Sequence, residues 1–205
     1  MRRWDVRVRW YLVALLGIPL VYLLGTLALP ASHGAFHPVR LAPWLAQYVL
    51  VFVVGGIVGG PLFEEPGWRG FALPRLEAGL GPLRGTLLLG VLWGAWHLPQ
   101  FLLPAGADQN GGLHWSTVAV FLLVVVEFSV VLAWIFNHTR GSLPLVMLPH
   151  ASLNTAQLMV VNQLFPSLSD TEVNALIGFG AAATVLIVLT RGRLGYRRAS
   201  TDVDV

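Results

Sequence analysis

The sequence predicts an all-α fold, a single polytopic transmembrane helical bundle of about six spans built from residues 1–205. Three observations carry that expectation. Hydrophobic residues make up 56% of the 205-residue chain and charged residues only 11%, where a soluble domain has roughly 25% charged. The mean hydropathy is +0.70. The apolar residues also fall into long runs, each near the roughly 20 residues that cross a bilayer as a helix. Ten acidic and thirteen basic residues cannot cover a soluble core of this size, so an ordinary soluble domain is excluded, and the hydrophobic content excludes disorder. The absence of Cys excludes a disulfide framework, a thiol nucleophile and a Cys-ligated metal.

The runs follow in order. The first, Trp10 to Leu29, comes after Arg2, Arg3, Arg7 and Arg9. It is longer than the apolar core of a signal peptide, roughly 7–15 residues, and is read as a span. The second covers Leu41 to Phe63 and extends toward Phe71. The third covers Leu83 to Leu103, the fourth Ser116 to Phe136, the fifth Leu143 to Leu164 and the sixth Val173 to Leu189. Turn-rich joints at 30–38, 79–82, 104–112, 137–142 and 166–171 separate them. No repeat or linker divides the chain, so it reads as one domain.

Every basic residue is Arg. With six spans and a cytoplasmic N-terminus, twelve of the thirteen fall on the inner side: Arg2, Arg3, Arg7, Arg9, Arg69, Arg75, Arg84, Arg140, Arg191, Arg193, Arg197 and Arg198. Only Arg40 falls outside. The positive-inside rule then predicts a cell-membrane protein with both termini cytoplasmic and the lipid bilayer as its first partner. The arginines flank spans instead of interleaving with aromatics in a patch, so nucleic acid is not an expected partner.

Four places put polar groups where the membrane makes them expensive. In PLFEEPGWRGFALPRL, residues 61–76, Glu64 and Glu65 end an apolar helix, and Glu65 and Arg69 share a helix face across Pro66 and Gly67. In GVLWGAWHLPQF, residues 90–101, His97 stands one turn after Trp93. In LPHASLNTAQ, residues 148–157, His150 and Asn154 are spaced i, i+4, with Gln157 near the same face. Glu127 lies in the middle of the fourth span. Each has a structural reading of its own: a solvated helix end, a His bonded to a backbone carbonyl, polar contacts between helices, or a buried carboxyl. Together they offer a carboxylate base, a cation, two imidazoles and an amide from three spans. Hydrolysis of a peptide bond needs a water activator and an oxyanion partner, and this set contains both. The chain has no HExxH and no GxSxG.

The three segments resemble the motifs of the CPBP family, bacterial intramembrane proteases related to the CAAX prenyl endopeptidase. Glu64-Glu65-Pro66-Gly67-Trp68-Arg69 is similar to its EExxxR motif. Trp93 followed by His97 is similar to its aromatic-xxx-His motif, with Trp in place of the usual Phe, both read as apolar wedges. His150 to Asn154 is similar to HxxxN. The likeness covers about residues 61–157. It implies an endopeptidase acting on membrane-anchored peptide or protein substrates, with a site opening toward the cytoplasm. It implies Glu64 as the base that activates water, assisted by His97, with Glu65 and Arg69 in support and His150 and Asn154 facing the oxyanion. It also implies two routes: a zinc ion held by Glu64, His97 and His150, or a metal-free water. The alternatives from other classes are a non-enzymatic membrane scaffold or bacteriocin self-immunity protein, and a small transporter using Glu127. One geometric expectation conflicts with a shared site. With helices rising 1.5 Å per residue, His150 lies about 12 Å and His97 about 20 Å from the inner ends of their spans.

Overall fold

The computed structural model describes residues 4–102, 114–166, 168 and 171–197. Arg2, Arg3, Arg198 and the joint at 104–112 lie outside the described residues. Eight helices are described: α1 (Val8–Leu27), α2 (residues 41–58), α3 (residues 61–80), α4 (Pro82–His97), the short α5 (Pro99–Leu102), α6 (Trp115–His138), α7 (residues 143–164) and α8 (Thr171–Thr190). Among the described residues there is no strand. Val8–Leu27, Leu41–Leu80, Trp115–His138 and Glu172–Thr190 are long and apolar enough to cross a membrane. With α4 and α7 they make the all-α membrane bundle that composition predicts.

Two boundaries differ from the sequence expectation. The second span runs past Phe63, as its expected extension implies, and past Phe71 as well. It turns at Gly59 and Gly60 and continues as α3 to Leu80, a helical stretch of 40 residues. Gly60 also leaves room for the site, because a Cβ there would stand 2.8 Å from the Glu64 carboxylate. The third span ends at His97 instead of running to Leu103. Its 16 residues rise only about 24 Å, and Pro99 cannot donate its missing N–H to a continuing helix.

The bundle is assembled on α6, whose middle residues Phe128 to Ala133 are all buried. Lipid-facing apolar surface gains nothing from burial against another helix, so association depends on close packing of small residues. Gly90 of α4 faces the Val126 Cα of α6, where a Cβ would stand at 2.8 Å. Gly25 of α1 and Gly178 of α8 face one another, and a Cβ on either would collide with the other helix's backbone. At one end of the bundle Asn137 donates to Glu77 and to the Leu194 carbonyl, and Arg140 meets Asp5. At the other end the His37 amide donates to the Leu164 carbonyl. The first end carries Arg7, Arg9, Arg75, Arg84, Arg140, Arg191, Arg193 and Arg197, and the second carries Arg40.

Arg69 is the exception to the charge pattern. It does not flank a span: it is fully buried, so it belongs to the chemistry of the interior and not to the count that orients the chain.

Candidate active site

Glu64, Glu65 and Arg69 all sit in α3, whose backbone is unusual here. Pro66 lies inside the helix and removes one amide donor. The chain answers with a widened π-type turn at Trp68–Ala72, a feature found often at functional sites. The local distortion expected from Pro66 and Gly67 thus takes the form of a wider turn, and Glu65 and Arg69 still pair at i, i+4. The Arg69 Nη1 donates to Glu65 Oε1 at 3.1 Å, with both side chains 0% exposed. Arg69 also donates from Nη2 to the Ser129 hydroxyl at 3.3 Å. Its guanidinium carbon lies 4.0 Å from the centre of the Trp93 ring, a cation–π contact in a desolvated setting.

The third motif is positioned from α7. Ser142 caps that helix by accepting from the Leu145 amide, which fixes where it starts and therefore how deep His150 lies. His150 Nδ1 stands 2.7 Å from Glu65 Oε1. A carboxylate there accepts, so Nδ1 carries the proton and Nε2 is turned away from Glu65. Asn154, one turn further, lines the same cavity as His150. A second π-type turn follows at Ala156–Val161.

His97 ends α4 and is held in a parallel way. Its Nδ1 lies 2.8 Å from the Trp93 carbonyl. A carbonyl can only accept, so Nδ1 again carries a proton, and Nε2 is the ring atom left to face the site. That atom faces Glu64 Oε2 at 3.9 Å. Glu64 Oε2 in turn accepts from the Trp93 indole N–H at 2.9 Å. The 3.9 Å gap is too wide for a direct hydrogen bond but spans what one bridging water can reach with two bonds of about 2.8 Å.

Trp93 joins the parts. Its ring centre lies 5.7 Å from that of His97 and 5.2 Å from that of His150, both edge-on. Glu64, Arg69, His97 and His150 therefore gather around one indole, Glu65 joins them through Arg69 and His150, and Asn154 lines the adjoining cavity. The expected mismatch in depth is met by division of labour: His97 faces Glu64, while His150 faces Glu65. Beside them a cavity of about 310 Å³ is lined by His97, His150, Asn154, Phe121 and Phe128, and toward its far end by Gln100, Gln157 and Glu172.

The residues do not make a zinc site as arranged. Among the described residues no three His, Asp or Glu side chains converge as a ligand set. His97 Nε2 and Glu64 Oε2 stand 3.9 Å apart, and His150 turns its Nδ1 to Glu65. As placed here, the three side chains Glu64, His97 and His150 do not converge on one point.

Sequence reasoning missed one member, Ser129, and gave another, Trp93, too small a role. Ser129 is fully buried and gives Arg69 its second partner; a hydroxyl in the apolar middle of VVVEFSVV, opposite a buried cation, was the available signal. Trp93 is more than an apolar wedge, because its N–H fixes Glu64, which the usual Phe could not do. Glu127, the neighbour that did draw notice, turns toward α8 and lies against Gly180, where a Cβ would stand 2.9 Å from its Oε1.

The sequence pattern of the type II CAAX prenyl endopeptidase Rce1-like family matches residues 43–156, more than half of the chain. This chain belongs to the Rce1-like family. The matched stretch runs from α2 into α7 and contains every residue of the site from Glu64 to Asn154. CAAX prenyl protease 2 of Methanococcus maripaludis is 25% identical over 127 residues, which are 60% of this chain and 45% of that protein. The UPF0718 protein YraQ of Escherichia coli is 27% identical over 140 residues, 60% of this chain and 39% of that protein. The chain spans under half the length of these curated relatives. Membership of the Rce1-like family bears out the resemblance read from the three motifs, and it is a family of proteases.

Proposed function

We propose that the chain is an intramembrane endopeptidase that cleaves membrane-anchored peptide or protein segments with a water held between Glu64 and His97. The observation that supports this best is the facing pair itself: His97 Nε2 opposite a Glu64 carboxylate that accepts from the Trp93 indole N–H. The water gives a proton to this pair as its oxygen attacks the peptide carbonyl carbon. The proton then passes to the leaving nitrogen as the C–N bond breaks. Glu65, neutralised on one side by Arg69, stands behind His150 Nδ1 as a carboxylate stands behind the histidine of a hydrolase triad. Asn154, and His150 when its ring is the imidazolium with a proton on both nitrogens, then donate to the developing oxyanion. This route uses no metal.

The test is cleavage of a membrane-anchored peptide by the full chain in proteoliposomes. Glu64→Gln and His150→Ala are each expected to lose about 100-fold or more, and a chelator is expected to leave the wild-type rate unchanged. Full activity in both variants would refute the reading. Capture of substrate by wild type and Glu64→Gln alike, without cleavage by either, would favour the scaffold or self-immunity reading instead.

The arginine distribution supports cytoplasmic termini. In that orientation the cavity end lined by Gln100, Gln157 and Glu172 lies on the opposite side of the membrane, so the expectation of a site opening toward the cytoplasm conflicts with the expectation drawn from charge. We take the charge rule, which rests on this chain's own residues, and propose that substrate segments enter from the non-cytoplasmic face. A chain free of Cys allows a clean check. Gln100→Cys is expected to react with an impermeant maleimide added to intact cells, and Arg193→Cys only after permeabilisation. The reverse pattern would restore a cytoplasmic opening without touching the proteolytic reading.

A further inference from the structure

The Arg-rich end of the bundle holds a second cavity, of about 530 Å³, remote from the site. Its walls come from three stretches far apart in the chain: Asp5, Arg7, Arg9 and Trp10 before and at the start of α1, His138 to Arg140 at the turn from α6 to α7, and Arg197 beyond α8. Four guanidinium groups surround it and one carboxylate, Asp5, answers them. Arg140 takes that carboxylate, donating from Nη2 to Asp5 Oδ2 at 3.0 Å and to the Asp5 carbonyl at 2.9 Å. The excess of positive charge over negative around one concavity is the electrostatic pattern of an anion site.

The backbone is shaped for it. Arg140 adopts φ 57°, a left-handed conformation that a non-glycine residue rarely takes, with Gly141 following at φ 74°. That pair reverses the chain and brings Arg140 over the N-terminal stretch. At Gly195, also left-handed at φ 74°, a side chain would collide with the His138 ring, so only glycine lets the final segment close over His138 and carry Arg197 to the rim. The floor is aromatic. Trp10 is buried, packs edge-on to Trp134 with ring centres 4.9 Å apart, and lies beneath the Arg9 guanidinium at 5.7 Å. Trp at the end of an apolar span marks the membrane–water boundary, the level where lipid phosphates lie.

We propose that this cavity binds a phosphate group, either that of an anionic lipid headgroup or that of a small soluble phosphate ester. Guanidinium groups bind phosphate with paired, charge-assisted hydrogen bonds, and basic pockets between helices at a membrane boundary suit anionic headgroups.

The test uses the full chain in neutral detergent. Binding of phosphatidylglycerol and of phosphatidylcholine is followed by native mass spectrometry, with glycerol 3-phosphate as the soluble probe. The wild type is expected to prefer phosphatidylglycerol by about tenfold or more. The double variant Arg140→Gln/Arg197→Gln is expected to lose that preference to within about twofold. Arg84→Gln, at the same end but outside the cavity, is expected to keep it. Saturation by glycerol 3-phosphate, with displacement of the lipid, would make the soluble ester the ligand, and failure to displace would assign the site to lipid. Equal retention of both lipids by the wild type, or an equal loss in Arg84→Gln and the double variant, would overturn the proposal, because general attraction of a basic surface would then account for binding.

Discussion

Two arginine–carboxylate pairs in this molecule have nearly the same geometry and opposite surroundings. Arg69 and Glu65 meet at 3.1 Å with both side chains 0% exposed, while Arg140 and Asp5 meet at 3.0 Å with side chains 59% and 74% exposed. Distance alone would rank them equal. In the interior, however, neither partner can turn to water, so each depends on the other and on Ser129, His150 and the Trp93 ring. At the boundary, both are solvated whether or not they touch, and salt screens what attraction remains. The difference teaches that the buried pair is a structural commitment tied to the site, and the exposed pair a local tether.

The comparison can be broken most sharply at Arg69. Arg69→Ala leaves Glu65 buried beside His150 without its cation, and removal of one partner of a buried pair costs about 3–5 kcal/mol. Unfolding of the solubilised protein should show a correspondingly lower midpoint, and a wild-type midpoint would mean that the interior is wetter than its burial suggests. Trp93→Phe keeps the apolar ring but removes the donor to Glu64. An unmet hydrogen bond to a charged group of about 1.5–3 kcal/mol should appear as roughly a tenfold or larger fall in cleavage with the fold retained, read from paired rate and stability measurements. Ser129→Ala removes only the longer bond to Arg69 and should lower stability by about 1 kcal/mol. The smallest effect belongs to the exposed pair. Asp5→Asn should change stability by less than about 0.5 kcal/mol, and by less still in high salt. A loss at Asp5 as large as that at Ser129 would end the distinction between the two pairs.

What the sequence made legible divides along the same line. Membrane class, helical content and the motif residues were readable because charge is scarce in the chain and each exception to that scarcity is conspicuous. Glu64, Glu65, Arg69, His97, His150 and Asn154 could be singled out in this way. The turn at Gly59 and Gly60 and the run on to Leu80 were not, because an apolar run does not reveal where a helix changes direction. Ser129 escaped because a lone hydroxyl in an apolar span is cheap to bury and stands out only once its partner is known. Trp93 was noticed for its position, but its role depends on which way one N–H points, which no spacing encodes. The conflict in depth between His97 and His150 came from counting helical rise from assumed span ends, whereas both rings pack against Trp93 and each imidazole takes its own carboxylate.

The contact between Glu65 and His150 links residues 85 positions apart. At elongation rates of about 5–20 residues per second, α3 is made several seconds before α7 exists. For the first part of that interval the nascent chain holds Glu65 and Arg69 with neither His150 nor Ser129 to meet them. The site is thus assembled late in synthesis, when the bundle that encloses it is nearly complete.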